Sequence, residues 1–319
     1  MELPSRLRAR IDDMLAGMEL AALKQNFGRL SRRYRAELLD GQQHLDNEES
    51  VAAYLAARMP ATYAAIRASL SAIREARPDY APASLLDFGA GPGAVLWAAR
   101  DCWASLRQAT MIEASDAARE TGERLADGEF GDVRWIAGDI TTDALFPEPA
   151  DLAAMAYVLD EITPEGRGPL VSRIWRLTSD ILLVIEPGTP GGWRRILAAR
   201  DQLLSEGAFI VAPCAHSGRC AIKEPDWCHF SRRVARSRLH RLVKEGDAPW
   251  EDETYIFIAA SRTPGNDLRP RIVAPPRRAH GRIELKLCQT NGAVIEDLVT
   301  RREGERFKRA RRADWGDAF

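Results

Sequence analysis

The segment Leu85-Leu86-Asp87-Phe88-Gly89-Ala90-Gly91-Pro92-Gly93 constrains this chain more than any other stretch. A short apolar run ends in three alternating glycines, and an apolar helical pattern follows from Ala94. Gly89, Gly91 and Gly93 let the backbone turn tightly and approach a ligand where a Cβ would clash. The place for such a loop is the end of the first strand of an open α/β sheet, where it leads into a helix. By itself G-x-G-x-G is a weak signal, so its surroundings decide its meaning.

From Ser84 onward, short apolar runs alternate with helical ones. The pattern predicts strands at 85–88, 109–112, 133–136, 152–157 and 181–185, with helices near 94–105, 116–126, 166–177 and 191–206. Alternation of this kind implies a parallel sheet covered on both faces. The apolar run at 254–261 is expected to close the sheet's edge. Glu113 directly follows the second strand, where a carboxylate accepts hydrogen bonds from both ribose hydroxyls. Asp139, in Ala137-Gly138-Asp139-Ile140, follows the third strand and is placed to meet an adenine amino group. A nicotinamide cofactor would use the same acidic position, but with G-x-G-x-x-G; the D-F-G-x-G-x-G found here is the methyl-donor form. The bland alternative is turn glycines and surface acids. The predicted fold is α/β, a class I Rossmann-like S-adenosylmethionine methyltransferase fold. The expected cofactor-binding residues are Asp87, Gly89, Gly91, Gly93, Glu113, Asp139 and Ile140.

Around this domain (81–262), residues 1–80 read as a helical region, because Ala and Leu recur at helical spacing. Gly41 and the polar run to Ser50 separate its two blocks, and Pro60 is expected to begin or kink a helix. Residues 213–250 form a Cys-rich insertion of poor periodicity. Residues 263–319 read as a small basic β-module, with strands near 281–288 and 293–299. With 45% hydrophobic and 29% charged residues the composition is that of an ordinary globular chain. There is no apolar run long enough for a membrane span. Residues 1–15 mix Arg with Glu2, Asp12 and Asp13, which predicts a cytoplasmic protein without a presequence.

The charge is lopsided: Ser231–Arg312 holds 20 Lys/Arg against 11 Asp/Glu in a chain of net charge −1. This asymmetry points to a polyanion, with RNA as the reading, against the alternative of a solvated basic surface. Arg232, Arg233, Arg236, Arg238, Arg241 and Lys244 recur at about helical spacing and are the candidate RNA-binding residues.

Methyl transfer is less legible. The fourth strand is followed by Tyr157-Val158-Leu159-Asp160-Glu161-Ile162, in place of the Asn/Asp-Pro-Pro-aromatic signature that grips an amino group on a base. Asp160 and Glu161 stand where an acceptor would lie, although acids at a strand end commonly cap or are solvated. Cofactor binding is therefore better supported than its use, and catalytic activity stays open.

Of five cysteines, Cys102 falls in the helix after the glycine loop and reads as core packing. Cys214, Cys220 and Cys228 lie as C-x5-C-x7-C in the insertion, and Cys288 lies in the tail. Clustered cysteines in a reducing compartment favour metal over disulfides. Four thiolates suit tetrahedral zinc or a 4Fe–4S cluster, and gaps wider than the zinc knuckle suit the larger cluster. His216 and His229 keep a mixed Cys/His zinc site open. Pro213-Cys214 imitates the nucleophile of cytosine-5 RNA methyltransferases, but it follows strand five rather than strand four.

Several further elements accompany these: Tyr54-Leu55-Ala56-Ala57-Arg58-Met59-Pro60, Glu186-Pro187-Gly188 with Gly191-Gly192-Trp193, and Pro213-Cys214-Ala215-His216 with Cys220. The run Trp227-Cys228-His229-Phe230-Ser231 and the ending Ala313-Asp314-Trp315-Gly316-Asp317 join them. Together they make the chain resemble the mitochondrial small-subunit ribosomal methyltransferase-like family, that of methyltransferase-like protein seventeen and its bacterial relatives. The resemblance implies a methyltransferase-like fold carrying a 4Fe–4S cluster, with Cys214, Cys220, Cys228 and Cys288 as ligands. It also implies a role on the small ribosomal subunit, binding its rRNA during assembly, with no membrane involved. Arg219-Cys220-Ala221 departs from the proline expected beside the cysteine and leaves the ligands untouched. Without a long presequence, a bacterial member is the expectation. The competing reading is an active S-adenosylmethionine-dependent rRNA methyltransferase with a zinc centre.

Overall fold

A computed structural model of the protein describes residues 1–36, 44–142, 147–266 and 268–319; Gly41 lies outside them. Helices α1 (Ser5–Leu15), α2 (Leu20–Ala36), α3 (Glu48–Ala57) and α4 (Met59–Ala76) precede the sheet. Asn47 starts α3 through a reciprocal capping box, its Oδ1 accepting from Ser50 N at 2.9 Å and its N–H donating to Ser50 Oγ at 3.2 Å. Pro60 begins a helix rather than kinking one. It sits in the first turn of α4, where its missing N–H breaks no helical bond. The Ala-rich faces of α3 and α4 are buried almost throughout, and small side chains let α4 pack closely on the domain behind it.

The sheet holds β1 (Ser84–Phe88), β2 (Gln108–Glu113), β3 (Asp132–Ala137), β4 (Ala150–Ala156), β5 (Thr178–Pro187), β6 (Phe209–Ala212), β7 (Phe230–Ala235) and β8 (Trp250–Ser261). Its spatial order is β3-β2-β1-β4-β5-β8-β6, with β7 paired to the first half of β8. β1 to β5 run parallel, and β8 runs antiparallel to both of its neighbours. Helices α5 (Ala94–Cys102), α6 (Asp116–Ala126), α7 (Pro164–Arg176) and α8 (Pro190–Ser205) supply the crossovers. This is the Rossmann-like methyltransferase arrangement. Strand order reverses between β1 and β4, and a ligand crevice opens at that switch point.

One expectation needs correction. The run 254–261 does not close the sheet's edge; β8 lies between β5 and β6. From Tyr255 to Ser261 it is buried at every position, which is the signature of a strand covered on both sides. The edge is instead formed by β7 and the four-residue β6, the latter too short to stand out behind a long helix.

The insertion contains β7 and a short helix α9 (Arg238–Lys244), capped by Ser237 Oγ accepting from His240 N at 3.1 Å. Then come β9 (Arg271–Ile272), β10 (Arg277–Ala279), β11 (Arg282–Cys288), β12 (Val294–Thr300) and the basic helix α10 (Glu305–Arg312). These strands form an antiparallel sheet with its own small core of Ile272, Ile283, Leu285, Leu287, Val299, Ala310 and Phe319. By contrast, α1–α4 share one continuous core with the main sheet. Among the described residues no helix is long and apolar enough to cross a membrane.

Candidate functional site

The glycine loop sits at the switch point. Gly89 has φ +71°, and a Cβ there would lie 2.6 Å from Val158 Cγ2, so both its conformation and its space demand glycine. Glu113 ends β2 and accepts from Gly91 N at 2.7 Å and Ser115 N at 2.8 Å. Burial raises its pKa and these backbone bonds oppose the rise. Asp87 is fully buried, and neither of its oxygens has a hydrogen-bond partner. Burial and then the neighbouring Glu113 hold its carboxyl well above the usual range. Asp139 is exposed and accepts from Thr141 N at 2.8 Å, while Ile140 is buried.

Gly89, Gly91, Glu113, Asp139 and Ile140 line one cavity of about 730 Å³, and Asp160 and Glu161 reach it too. Asp87 and Gly93 are not part of its lining. The volume falls in the range of ordinary small-molecule sites. Its far side was not legible in the sequence: Phe27, Tyr34, Tyr54, Arg58 and Ile66 of the N-terminal helices line the same cavity. Arg58 donates to both oxygens of Glu253, at 2.7 and 2.8 Å, and Tyr157 Oη donates to Glu253 Oε1 at 3.2 Å. Tyr157 follows β4 with φ 60°, unusual for a bulky residue.

The cavity is rich in carboxyl groups. Glu161, a third of whose side chain reaches solvent, stands 3.6 Å from His44. Burial, followed by Asp160 and Glu113, pushes its pKa up to about 8. Nearby, Glu186 is fully buried; it accepts from Arg195 Nε at 2.5 Å and from Leu159 N at 3.1 Å. Burial and Asp160 outweigh that arginine and push Glu186 up to about 8 as well.

The cysteines of the insertion and the tail make a second candidate site. Cys214 follows β6, Cys220 and Cys228 lie in the loop before β7, and Cys288 ends β11. All four are free thiols. Burial raises Cys214 and Cys228, the latter far up, and each also feels neighbouring thiols: Cys220 acts on Cys214, and Cys214, Cys220 and Cys288 act on Cys228. Cys288 is pushed up to about 12 by burial, then by Cys214 and Cys220, and it accepts a hydrogen bond from Ala215 N. Cys288, distant in sequence, is thus within electrostatic reach of the thiols of the insertion. Among the described residues, though, no group of three or more His, Cys, Asp or Glu side chains is placed to hold a metal ion. His229 is stacked on Trp227 at 5.0 Å and meets the edge of Trp315 at 4.7 Å. His216 is buried, with Nδ1 unpartnered. Cys102 is buried in α5, as expected.

The six basic candidates do not form a helical row. Arg232, Arg233 and Arg236 lie on or just after β7, and only Arg238, Arg241 and Lys244 are on α9. Arg232 is 4.0 Å from Asp317, Arg233 pairs with Asp252 at 2.9 Å, and Arg236 and Lys244 share Glu251 at 2.8 and 2.6 Å. Arg238 and Arg241 face solvent. Alternation of Arg with small residues imitated a helical period, whereas pairing with β8 made this stretch a strand.

The model of the family described as mitochondrial small ribosomal subunit Rsm22 matches residues 48–319. The chain belongs to that family. Among relatives of this Rsm22 family member, human "Ribosome assembly protein METTL17, mitochondrial" is 30% identical over 283 residues, covering 83% of this chain and 61% of the relative. A "Rsm22-cox11 tandem protein 2, mitochondrial" of Schizosaccharomyces pombe is 20% identical, covering 100% of this chain and 50% of the relative. The family member thus spans little more than half the length of these relatives. Among solved structures, magnesium protoporphyrin IX methyltransferase from Synechocystis PCC 6803 is 13% identical with a TM-score of 0.41, covering 78% of this chain and 99% of that one.

These relatives overturn the expectation of a cytoplasmic, bacterial protein, because each is mitochondrial by name. That expectation rests on the first fifteen residues. A targeting leader is separate from the folded part it delivers, so those residues do not report the compartment.

Proposed function

We propose that this chain is an assembly factor of the mitochondrial small ribosomal subunit. In this reading it binds S-adenosylmethionine in the cavity above the glycine loop and a 4Fe–4S cluster through Cys214, Cys220, Cys228 and Cys288. It contacts rRNA through its basic C-terminal third. The assembly role rests on family membership and on the human relative, which is named as a ribosome assembly protein.

The observation that carries the cluster is the set of four free thiols contributed from the end of β6, the loop before β7 and the end of β11. Thiolates are the ligands iron–sulfur clusters use. Gaps of five and seven residues between the insertion's cysteines, wider in sequence than a zinc knuckle, favour a polynuclear cluster over zinc. His229, engaged between two tryptophans, is a poor candidate for a mixed zinc site. For the cofactor, Glu113 at the end of β2 and the cavity-lining carboxyls of Asp139, Asp160 and Glu161 suit a ligand bearing ribose hydroxyls, an ammonium and a sulfonium. We assign residues 1–80 as the roof of that cavity, 81–262 as the cofactor domain and 263–319 as the module that completes the thiol site.

Cys228→Ser tests the arrangement. Ligation couples the insertion's folding to the centre, so this variant is expected to lose iron, become protease-sensitive across 213–250 and bind rRNA more weakly. S-adenosylmethionine binding is expected to persist. Unchanged iron content, protease resistance and RNA affinity would contradict the reading. The methyltransferase alternative draws on Asp160 and Glu161 lining the cavity. Transfer of a labelled methyl group to precursor small subunits, lost in Gly91→Arg, would promote it.

A further inference from the structure

Arg200, on α8, is the largest of the fully buried side chains among the described residues, with 1% exposure. Its Nη2 donates to the carbonyls of Gly218 at 2.6 Å and His216 at 3.2 Å, and the guanidinium also bonds the Cys214 thiol. Nε has no partner. Its ion-pair partner, Asp201, lies 3.5 Å away and is three-quarters exposed, so solvent screens it. A guanidinium buried among carbonyls and a neutral thiol is costly unless an anion accompanies it.

A second cation stands on the opposite strand. Arg271 is directly opposite Cys288 in the β9–β11 register and is nearly buried. Its Nε donates to Pro213 O at 3.2 Å and its Nη1 to Gly316 O at 3.0 Å. The carboxylate beside it, Glu75 at 3.4 Å, is half exposed. Arg200 acts electrostatically on Cys214 and Cys288, and Arg271 acts on Cys214. Two buried guanidinium groups therefore stand beside the thiol-bearing segments, Arg200 bonded to the 216–218 turn between Cys214 and Cys220 and Arg271 opposite Cys288 and bonded to Pro213 O.

We propose that Arg200, supported by Arg271, is a built-in counter-charge for an anionic thiolate-bound centre, a positioning residue that sets its retention and its reduction potential. The inference rests on the cluster reading above. A centre held by four thiolates is net negative, and one-electron reduction makes it more so. A fixed cation beside it favours the reduced state and raises the potential. Arg200 also ties the 216–218 turn to α8, a role that involves no charge on the centre.

The test is a spectroelectrochemical titration with dithionite and mediators on the anaerobically purified 319-residue chain, with iron and sulfide assayed in parallel. Arg200→Met is expected to shift the potential to more negative values. Arg200→Lys, which keeps the charge but not the planar fork, is expected to stay near the parent. Should Arg200→Met hold no cluster while Arg200→Lys does, the charge is needed for retention, as proposed. If both lose it, Arg271→Met against Arg271→Lys repeats the comparison at the second cation. A parent chain without iron and sulfide would overturn the cluster reading and this inference with it. A loaded parent whose potential is unmoved by methionine at either position would overturn this inference alone.

Discussion

Arg58, at the junction of α3 and α4, grips both carboxylate oxygens of Glu253 in β8, 195 residues away in sequence. The pair fastens the N-terminal helices over the cofactor cavity, and Tyr157 braces it from the end of β4. Removing one partner of a buried pair leaves the other uncompensated. Arg58→Ala is expected to destabilise the chain by about 3 kcal/mol, the low end for such losses because a quarter of the Arg58 side chain is exposed. Urea denaturation of parent and variant measures it, and a change below ~1 kcal/mol would show that packing alone holds the roof.

Gly89→Ala sets a strained φ against a direct contact with Val158. The strain alone is roughly 1–3 kcal/mol. Displacing Val158 distorts the cavity wall, so calorimetric binding of S-adenosylmethionine is expected to be lost. Gly91→Ala is expected to be milder, since the nearest atom to its Cβ would be Leu45 Cδ1 at 3.8 Å. Equal effects at the two positions would contradict the reading of the loop.

The carboxyl groups around the cavity give cofactor binding a pH dependence. Glu161, which lines the cavity and is pushed up to about 8, holds a proton at neutral pH that a cationic ligand is expected to displace. The neighbour opposing that rise is Arg33. S-adenosylmethionine carries a fixed sulfonium charge and its demethylated product does not. Affinity for the former is expected to climb between about pH 6.5 and 8.5 more steeply than affinity for the product. Glu161→Gln should reduce the difference. Parallel pH profiles for the two ligands would show that these carboxyl groups do not face the sulfonium.

For Glu161 and the buried Glu186, the stability of the unliganded chain runs the other way. The unfolded state releases these protons near 4.5 and the folded state near 8, so the folded form is the better proton binder between those values. Stability is then highest toward the acidic side of that window and falls as pH rises through it. Thermal midpoints from pH 5.5 to 8.5 are expected to decline, and a flat or rising profile would contradict the assignment.

If rRNA lies along the basic third, its contacts are expected at exposed arginines rather than at those facing carboxylates. Replacing Arg238, Arg241, Arg311 and Arg312 with alanine is expected to weaken binding and flatten its salt dependence, by about one unit of slope per lost contact. Arg233→Ala, which removes a partner of Asp252, is expected to change the slope little. Filter binding to a small-subunit rRNA fragment across a KCl series distinguishes the two.

Much of the fold was legible because local pattern and global burial agree. Runs such as Leu85–Phe88 and Thr110–Ile112 are apolar enough to be strands in any context, and 116–126 matches α6 to the residue. The position of β8 was not legible, since nothing in 254–261 says which neighbours it will choose. At the cofactor site, Gly89, Gly91 and Glu113 announced themselves by spacing along one β-turn-α unit. Arg58, Tyr34 and Tyr54 did not, because they reach the cavity through tertiary packing of helices with no motif of their own. The buried Arg200 was hidden for a related reason: in sequence it is one more arginine on an amphipathic helix.

Metal analysis of anaerobically purified protein tests the central claim most directly. Iron and acid-labile sulfide are expected in equal amounts, about four of each per chain, with visible absorbance that bleaches on reduction. Stoichiometric zinc without sulfide, or four thiols that titrate freely with no metal bound, would contradict it.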